Sequence, residues 1–330
     1  MYKRSNWQTH DWQNALKQSI TSQHELLAHL GLQPPTIATE PPSHFGIRVP
    51  PNFLACIKHK DPQDPLLMQV LHTPYSKPLE LFTAEPLKET CFSPEAGVIH
   101  KYPRRVLLIT NRHCAINCRY CFRQNFPYEE HALNASELER IRVFLKQDSS
   151  LVEVILSGGD PLANSDKQLQ RIISIIESIP HINFLRIHTR IPTCLPERIT
   201  NELLNTLSAT SLKVTVVLHI NHAQEINHHA SKAIELLHST GIRLLNQSVL
   251  LQHVNHGLVD QIALCEQLAH HSIQAYYLHL LDKVSGAEHY LITKEAALVL
   301  HQQMRDTLPG HWVPQLVMEE PGKNSKTILN

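Results

Sequence analysis

The chain lacks a charge bias: Lys plus Arg number 30 and Asp plus Glu number 30 in 330 residues. That balance excludes the general electrostatic pull towards nucleic acid that a basic face provides. It also lacks any apolar run near the ~18 residues that span a bilayer, and no signal-like apolar stretch opens the sequence. A cytoplasmic protein with neither membrane nor nucleic-acid partners is expected. Internal repeats and low-complexity tracts are missing as well. Its seven cysteines do not form the two spaced pairs usual in structural zinc sites. An odd thiol count without a secretory leader also argues against a disulfide framework.

What is present is Cys114-Ala-Ile-Asn-Cys118-Arg-Tyr-Cys121, three cysteines within eight positions, while Cys56, Cys91, Cys194 and Cys265 lie scattered. Three thiols can hold three irons of a four-iron cluster and leave the fourth iron open to a small molecule. Ordinary four-iron electron carriers use four cysteines, and tetrahedral structural zinc also wants four ligands. Zinc, with His113 or a distant thiol as fourth ligand, is the competing reading. The 24 histidines include the pairs His228-His229 and His270-His271. They follow no metal-ligand template and nearly all read as solvated surface.

Residues 1 to 100 are Pro-rich and irregular, a helical and wrapping region. Asp11 to Leu32 places Trp12, Leu16, Ile20, Leu26, Leu27 and Leu30 at helical spacing, with Gly31 at the end. Pro34-Pro35 to Pro50-Pro51 reads as a linker or wrapping arm. From Val106 onwards apolar strands alternate with amphipathic helices. The strand candidates are Val106–Thr110, Val152–Ser157, Phe184–His188, Leu212–Ile220, Arg243–Leu251 and Ala275–Leu281. Ser136 to Glu139 and Ser165 to Gln168 read as capping boxes, and Gly241 as a glycine closing the helix near His238. Strands separated by helices make a parallel sheet by right-handed crossovers. Six such units form an open partial barrel over residues 101–290, followed by a C-terminal helix and tail over 291–330. The cysteines fall just after the first strand, where α/β barrels keep their chemistry. The second strand ends in Ser157-Gly158-Gly159-Asp160, and glycines there allow close backbone approach.

The CxxxCxxC spacing, with Tyr120 before its last cysteine, resembles that of radical S-adenosylmethionine enzymes. Their partial (β/α)6 TIM-like barrel matches the unit count. The segments His100–Thr110, Leu156–Asp160, Arg190–Thr200, Asn246–Leu251 and Tyr276–Asp282 narrow the resemblance to lysine 2,3-aminomutases, over roughly residues 45 to 330. The resemblance implies an isomerase using a [4Fe-4S] cluster, S-adenosylmethionine and pyridoxal 5′-phosphate, an external electron donor, and L-lysine as substrate. Cys114, Cys118 and Cys121 would hold the cluster. Ser157, Gly158, Gly159 and Asp160 would bind the S-adenosylmethionine ammonium. A gap-free match on Pro321-Gly322 puts the pyridoxal lysine at Lys326, with Lys323 as the runner-up. Arg105 matches the phosphate ligand, with Lys101 and Tyr102 as neighbouring contacts. Lys101 stands where the family has an arginine, a better phosphate fork. Arg123 matches the arginine that pairs with the substrate carboxylate. Asp282 and Glu319 match the two acids that read its ε-ammonium. The family's free-lysine enzymes extend well past the pyridoxal lysine, whereas this sequence runs four residues beyond Lys326. With the Leu281–Gly286 segment, that favours the branch supplying (R)-β-lysine to a ligase that modifies elongation factor P. The alternatives are a stand-alone lysine 2,3-aminomutase, another amino-acid 2,3-aminomutase and, outside the enzymes, a zinc-stabilised binding module.

Overall fold

Ser165 accepts from the Gln168 amide, and the Gln168 side chain accepts from Ser165 N at 3.1 Å. This capping box satisfies two otherwise orphaned donors and starts a helix that buries Leu169, Ile172, Ile173 and Ile176. Units of this kind repeat. The computed structural model describes residues 11–33, 46–72, 79–131, 133 and 135–330. The part of the expected Pro34–Pro51 arm up to position 45 lies outside them.

The strands are β1 (Val98–Tyr102), β2 (Arg105–Asn111), β3 (Glu153–Gly158), β4 (Phe184–Thr189), β5 (Lys213–His219), β6 (Arg243–Val249), β7 (Gln274–His279), β8 (Gln315–Met318) and β9 (Thr327–Ile328). They lie side by side in sequence order. β2 to β8 are parallel, while β1 and β9 flank them antiparallel. The six expected strands are β2 to β7, with ends shifted by a residue or two. The further strands β1, β8 and β9 make nine instead of six. The sheet does not close, so this is the partial TIM-like barrel.

The helices are α1 (Asp11–Lys17), α2 (Gln23–His29), α3 (Pro51–Leu54), α4 (Ala135–Gln147), α5 (Asp166–Glu177), α6 (Ile191–Cys194), α7 (Asn201–Ser208), α8 (His228–Ser239), α9 (Leu258–His270) and α10 (Lys294–Thr307). No helix among the described residues is long and apolar enough to cross a membrane. Two expectations are corrected. The N-terminal helix is two helices, because Ser22 caps α2 and Ile20 pairs with Val49 between α1 and α2. Ser136 lies inside α4, one residue past its start, and not at the position ahead of it. Gly241 does close α8, donating to His238 O at 3.0 Å.

Trp12, Leu26, Leu30 and Phe53 share one core with the barrel strands and helices α5 to α8. The N-terminal region is thus packed onto the barrel. Around the C-terminal end of the sheet a second core joins Cys265 of α9, Met304 of α10, Leu316 of β8 and Leu329.

Candidate active site

In a parallel sheet the loops after all the strands emerge on one side. The cluster loop follows β2, the Gly-Gly turn follows β3, Asp282 follows β7 and Glu319 follows β8. The cluster loop is moulded from outside the barrel. Arg48 Nη1 donates to Cys114 O at 3.1 Å, and Asn117 N donates to Arg48 O at 3.2 Å. Arg119 N donates to Gln69 O at 2.9 Å. Burial raises the Cys114 thiol well above its ordinary range, and the neighbouring Cys121 adds to this. Burial, then Cys118, pushes Cys121 up to about 12. Thiolates are the metal ligands, so loading a metal here must expel protons. Among the described residues no three His, Cys, Asp or Glu side chains converge as they stand on one metal ion.

Arg190 follows β4 and lies behind the cluster loop. Its Nη1 donates to Cys118 Sγ at 2.7 Å and to Tyr120 Oη at 2.9 Å. Nη2 donates to Gln69 Oε1 at 2.6 Å and Glu225 Oε2 at 3.0 Å. The Arg190–Thr200 segment stood out in the sequence without a role. Here its first residue fastens Cys118 to a buried polar network.

Gly158 has φ +113°, and a Cβ on Gly159 would sit 2.3 Å from His113 O. Only glycine lets this turn press against the cluster loop. Gly159 N and Asp160 N donate to Asn111 O and His113 O, each at 2.8 Å. Asp160 departs from expectation. Its carboxylate accepts from Leu162 N at 3.0 Å, Arg190 N at 2.7 Å and Thr189 Oγ1 at 2.7 Å. It clasps β3 to β4. Ser157 Oγ accepts from Arg123.

Arg123 departs too. Its Nε and Nη2 each donate to a Glu89 oxygen at 2.7 Å, and Nη1 donates to Ser157 Oγ at 2.9 Å. The fork expected to hold a substrate carboxylate holds one of the chain's own. Glu89 belongs to a stretch with no motif, so nothing in the sequence marks it.

At the other edge of the site, the pairing Met318↔Thr327 between β8 and β9 sets Glu319 opposite Lys326. Lys326 Nζ donates to Glu319 Oε2 at 2.5 Å, and Glu319 Oε1 accepts from Lys101 and Tyr102. Burial would raise the Glu319 carboxyl, but Lys326 and these donors bring it down to about 2. Lys323 is exposed on the turn beyond Pro321. The Arg105 guanidinium lies 4.6 Å over the Tyr102 ring. Burial, reinforced by Glu319 and Glu89 against the opposing lysines, lifts Asp282 to about 7.

The expectation of surface histidines fails for several, the buried His301 of α10 among them. His188 of β4, His219 of β5 and His279 of β7 have imidazoles held neutral, first by burial and then by cations including Arg186, Arg190 and Lys326. Nε2 of His188 and of His279 is buried without a hydrogen-bond partner. Such orphans mark a place where a further polar group belongs. Both sense Lys326, and His188 also senses Arg123. With an amine, a guanidinium and acceptors around them, the residues present fit a phosphorylated aldehyde cofactor. The three-thiol loop and Gly-Gly turn fit a cluster with a small-molecule ligand.

Residues 108–263 match the Radical SAM superfamily, SAM being S-adenosylmethionine. An L-lysine 2,3-aminomutase of Buchnera aphidicola is 44% identical over 324 residues, 97% of this chain and 95% of that protein. The L-lysine 2,3-aminomutase of Escherichia coli is 37% identical over 97% of this chain and 94% of its own length. That of Clostridium subterminale is 34% identical over 84% of this chain and 67% of its own. Membership in the superfamily carries a [4Fe-4S] cluster and S-adenosylmethionine with it. The chain belongs to the L-lysine 2,3-aminomutase family of radical SAM enzymes, and it is an isomerase.

Proposed function

We propose that this enzyme is pyridoxal-phosphate-dependent, converts L-α-lysine into (R)-β-lysine, and supplies it for attachment to elongation factor P. The observation that carries the cofactor assignment is the Lys326–Glu319 contact beside the orphaned His279 imidazole. When bound, the cluster and S-adenosylmethionine supply a hydrogen-abstracting radical, and pyridoxal phosphate supplies a π-system through which the amino group moves.

The chain's own residues place and charge the reactants. Cys114, Cys118 and Cys121 hold the cluster, and Arg190 steadies Cys118 from behind. Ser157, Gly158 and Gly159 present backbone to S-adenosylmethionine, while Asp160 keeps that turn in shape. Lys326 is the pyridoxal lysine. Its Nζ is held in place by Glu319. Arg105, with Lys101 and Tyr102 beside it, takes the phosphate. Arg123 reads the α-carboxylate. Asp282, whose carboxyl burial raises to about 7 in the empty site, is ionised as it receives the ε-ammonium together with Glu319. Two acids at that end favour lysine over an acidic amino acid. The segment Leu281–Gly286 supports the elongation factor P branch.

The test is anaerobic incubation with L-lysine, S-adenosylmethionine and dithionite, with and without pyridoxal phosphate, followed by chiral analysis. The expected product is (R)-β-lysine formed only when pyridoxal phosphate is added. It should be accepted by a ligase that modifies elongation factor P. The S isomer, or product formed without pyridoxal phosphate, contradicts the proposal.

A further inference from the structure

We propose that Glu89 is an internal stand-in for the substrate's carboxylate: it occupies the Arg123 fork until lysine displaces it. The inference rests on Arg123 being the carboxylate reader. Both Glu89 oxygens meet the guanidinium at 2.7 Å, one on Nε and one on Nη2. That bidentate arrangement is how an arginine recognises any carboxylate. Nη1 is taken by Ser157. A second carboxylate cannot pair with this fork in the same way while Glu89 remains, and it would also meet a like charge.

The segment bearing Glu89 is a short turn held between two fastened points. Glu89–Phe92 is a single 3-10 turn entered through Lys88, whose φ is +48°. A lysine in the left-handed region is strained, which the inward ion pair offsets. On one side the segment is fastened by Thr83 N to Lys283 O and Ser285 N to Thr83 O, each 3.0 Å. On the other, Ser93 Oγ donates to Val98 O at 2.9 Å. Glu85 accepts from Thr90 N at 2.8 Å and Thr90 Oγ1 at 3.0 Å, bracing the turn itself. In the proposed exchange Glu89 withdraws together with this braced turn, its two fixed points staying in place. The same exchange makes Glu89 a specificity device. A diamine without a carboxylate has nothing with which to displace it.

A fixed orienting role and a stand-in role predict opposite signs. The test uses pyridoxal-phosphate-loaded protein without S-adenosylmethionine, so that binding is read without turnover. L-Lysine and its carboxylate-free analogue cadaverine are titrated calorimetrically into the parent, Glu89→Gln and Arg123→Gln. Charge-assisted pairs are about twice as strong as neutral ones, so Glu89→Gln should tighten lysine binding by at least about threefold and leave cadaverine unchanged. Lysine binding that is unchanged or weaker overturns the inference, as does equal tightening of both ligands. If Glu89→Gln does not load the cofactor, Glu89→Asp, which keeps the charge and loses the reach, is read by the same outcomes. Arg123→Gln tests the underlying reading separately: it should erase the lysine-over-cadaverine preference. A preserved preference removes Arg123 as the reader, whereas an erased one with no Glu89→Gln effect removes only the stand-in.

Discussion

Lys326 Nζ lies 2.5 Å from Glu319 Oε2, and the two meet because β8 and β9 pair in the register Met318↔Thr327. A lysine near the end of the sequence is thereby fixed in the site by a two-residue strand. Lys326→Ala should remove the visible absorbance of lysine-bound pyridoxal phosphate and the borohydride-trapped adduct, with the iron–sulfur absorbance intact. Peptide mapping of the adduct checks this, and a label on Lys323 contradicts it.

The same pair sets an acid limb of stability. Burial opposes ionisation of Glu319, but Lys326, Lys101 and Tyr102 draw its carboxyl from 4.5 down to about 2. A depressed carboxyl contributes stability that is full above its unfolded value and lost as pH falls towards the folded one. Denaturation of cofactor-free protein at about pH 5 and about pH 3 should show Glu319→Gln losing less stability than the parent. Equal losses would mean the ion pair adds nothing.

Asp282 behaves in the opposite sense. Its carboxyl is raised from 3.8 to about 7, burial being the chief cause. Its contribution is full below the lower value and is lost as pH rises through the higher one. Asp282→Asn should abolish that loss. An incoming ammonium should also expel the Asp282 proton. Lysine-binding enthalpy measured near neutrality in buffers of differing ionisation heat should therefore show about half a proton fewer released by the variant. Turnover should fall by an amount on the order of 3–5 kcal/mol, the cost of breaking a buried pair. Undiminished turnover of lysine by the variant would make Asp282 a structural residue.

Much of the barrel is legible in the sequence because parallel strands covered on both faces read as continuous apolar runs. Val154 to Leu156 and Val216 to Leu218 are buried in this way. The strands β1, β8 and β9 are not legible: they are short, and β9 is two residues long. The cysteine spacing and the Gly-Gly turn are local motifs and can be read directly. Glu89 cannot, because its partner Arg123 is 34 residues away and only the fold brings them together. The histidines mislead for a related reason. Composition points to the surface, while alternation along β4, β5 and β7 turns His188, His219 and His279 inward. Asp160 sits where the resemblance puts it, but its oxygens are consumed by Thr189, Leu162 and Arg190.

The cluster assignment separates two kinds of cysteine. Cys114→Ala, Cys118→Ala or Cys121→Ala should each abolish the reconstituted four-iron signal and activity together. Cys265→Ala should leave both largely intact, since Cys265 packs against Leu278 and Met304 in an apolar core. Electron paramagnetic resonance of the reduced proteins decides. Loss of signal in Cys265→Ala alone contradicts three-thiol ligation.

Arg190 and Glu225 form a buried ion pair behind Cys118. Removing one partner strands the other charge, so Glu225→Ala should cost about 3–5 kcal/mol in chemical denaturation. A loss below about 1 kcal/mol, the range of exposed pairs, would show that the pair is not a structural hub.

The central claim, that the amino group of lysine moves from the α- to the β-carbon, is tested most directly with L-lysine carrying heavy nitrogen at its α-amino group. The reconstituted enzyme is supplied anaerobically with this substrate, S-adenosylmethionine, dithionite and pyridoxal phosphate, and the product is analysed by nuclear magnetic resonance. The account predicts β-lysine with the heavy nitrogen bonded to the β-carbon. Heavy nitrogen that remains on the α-carbon of every amino acid recovered would contradict it.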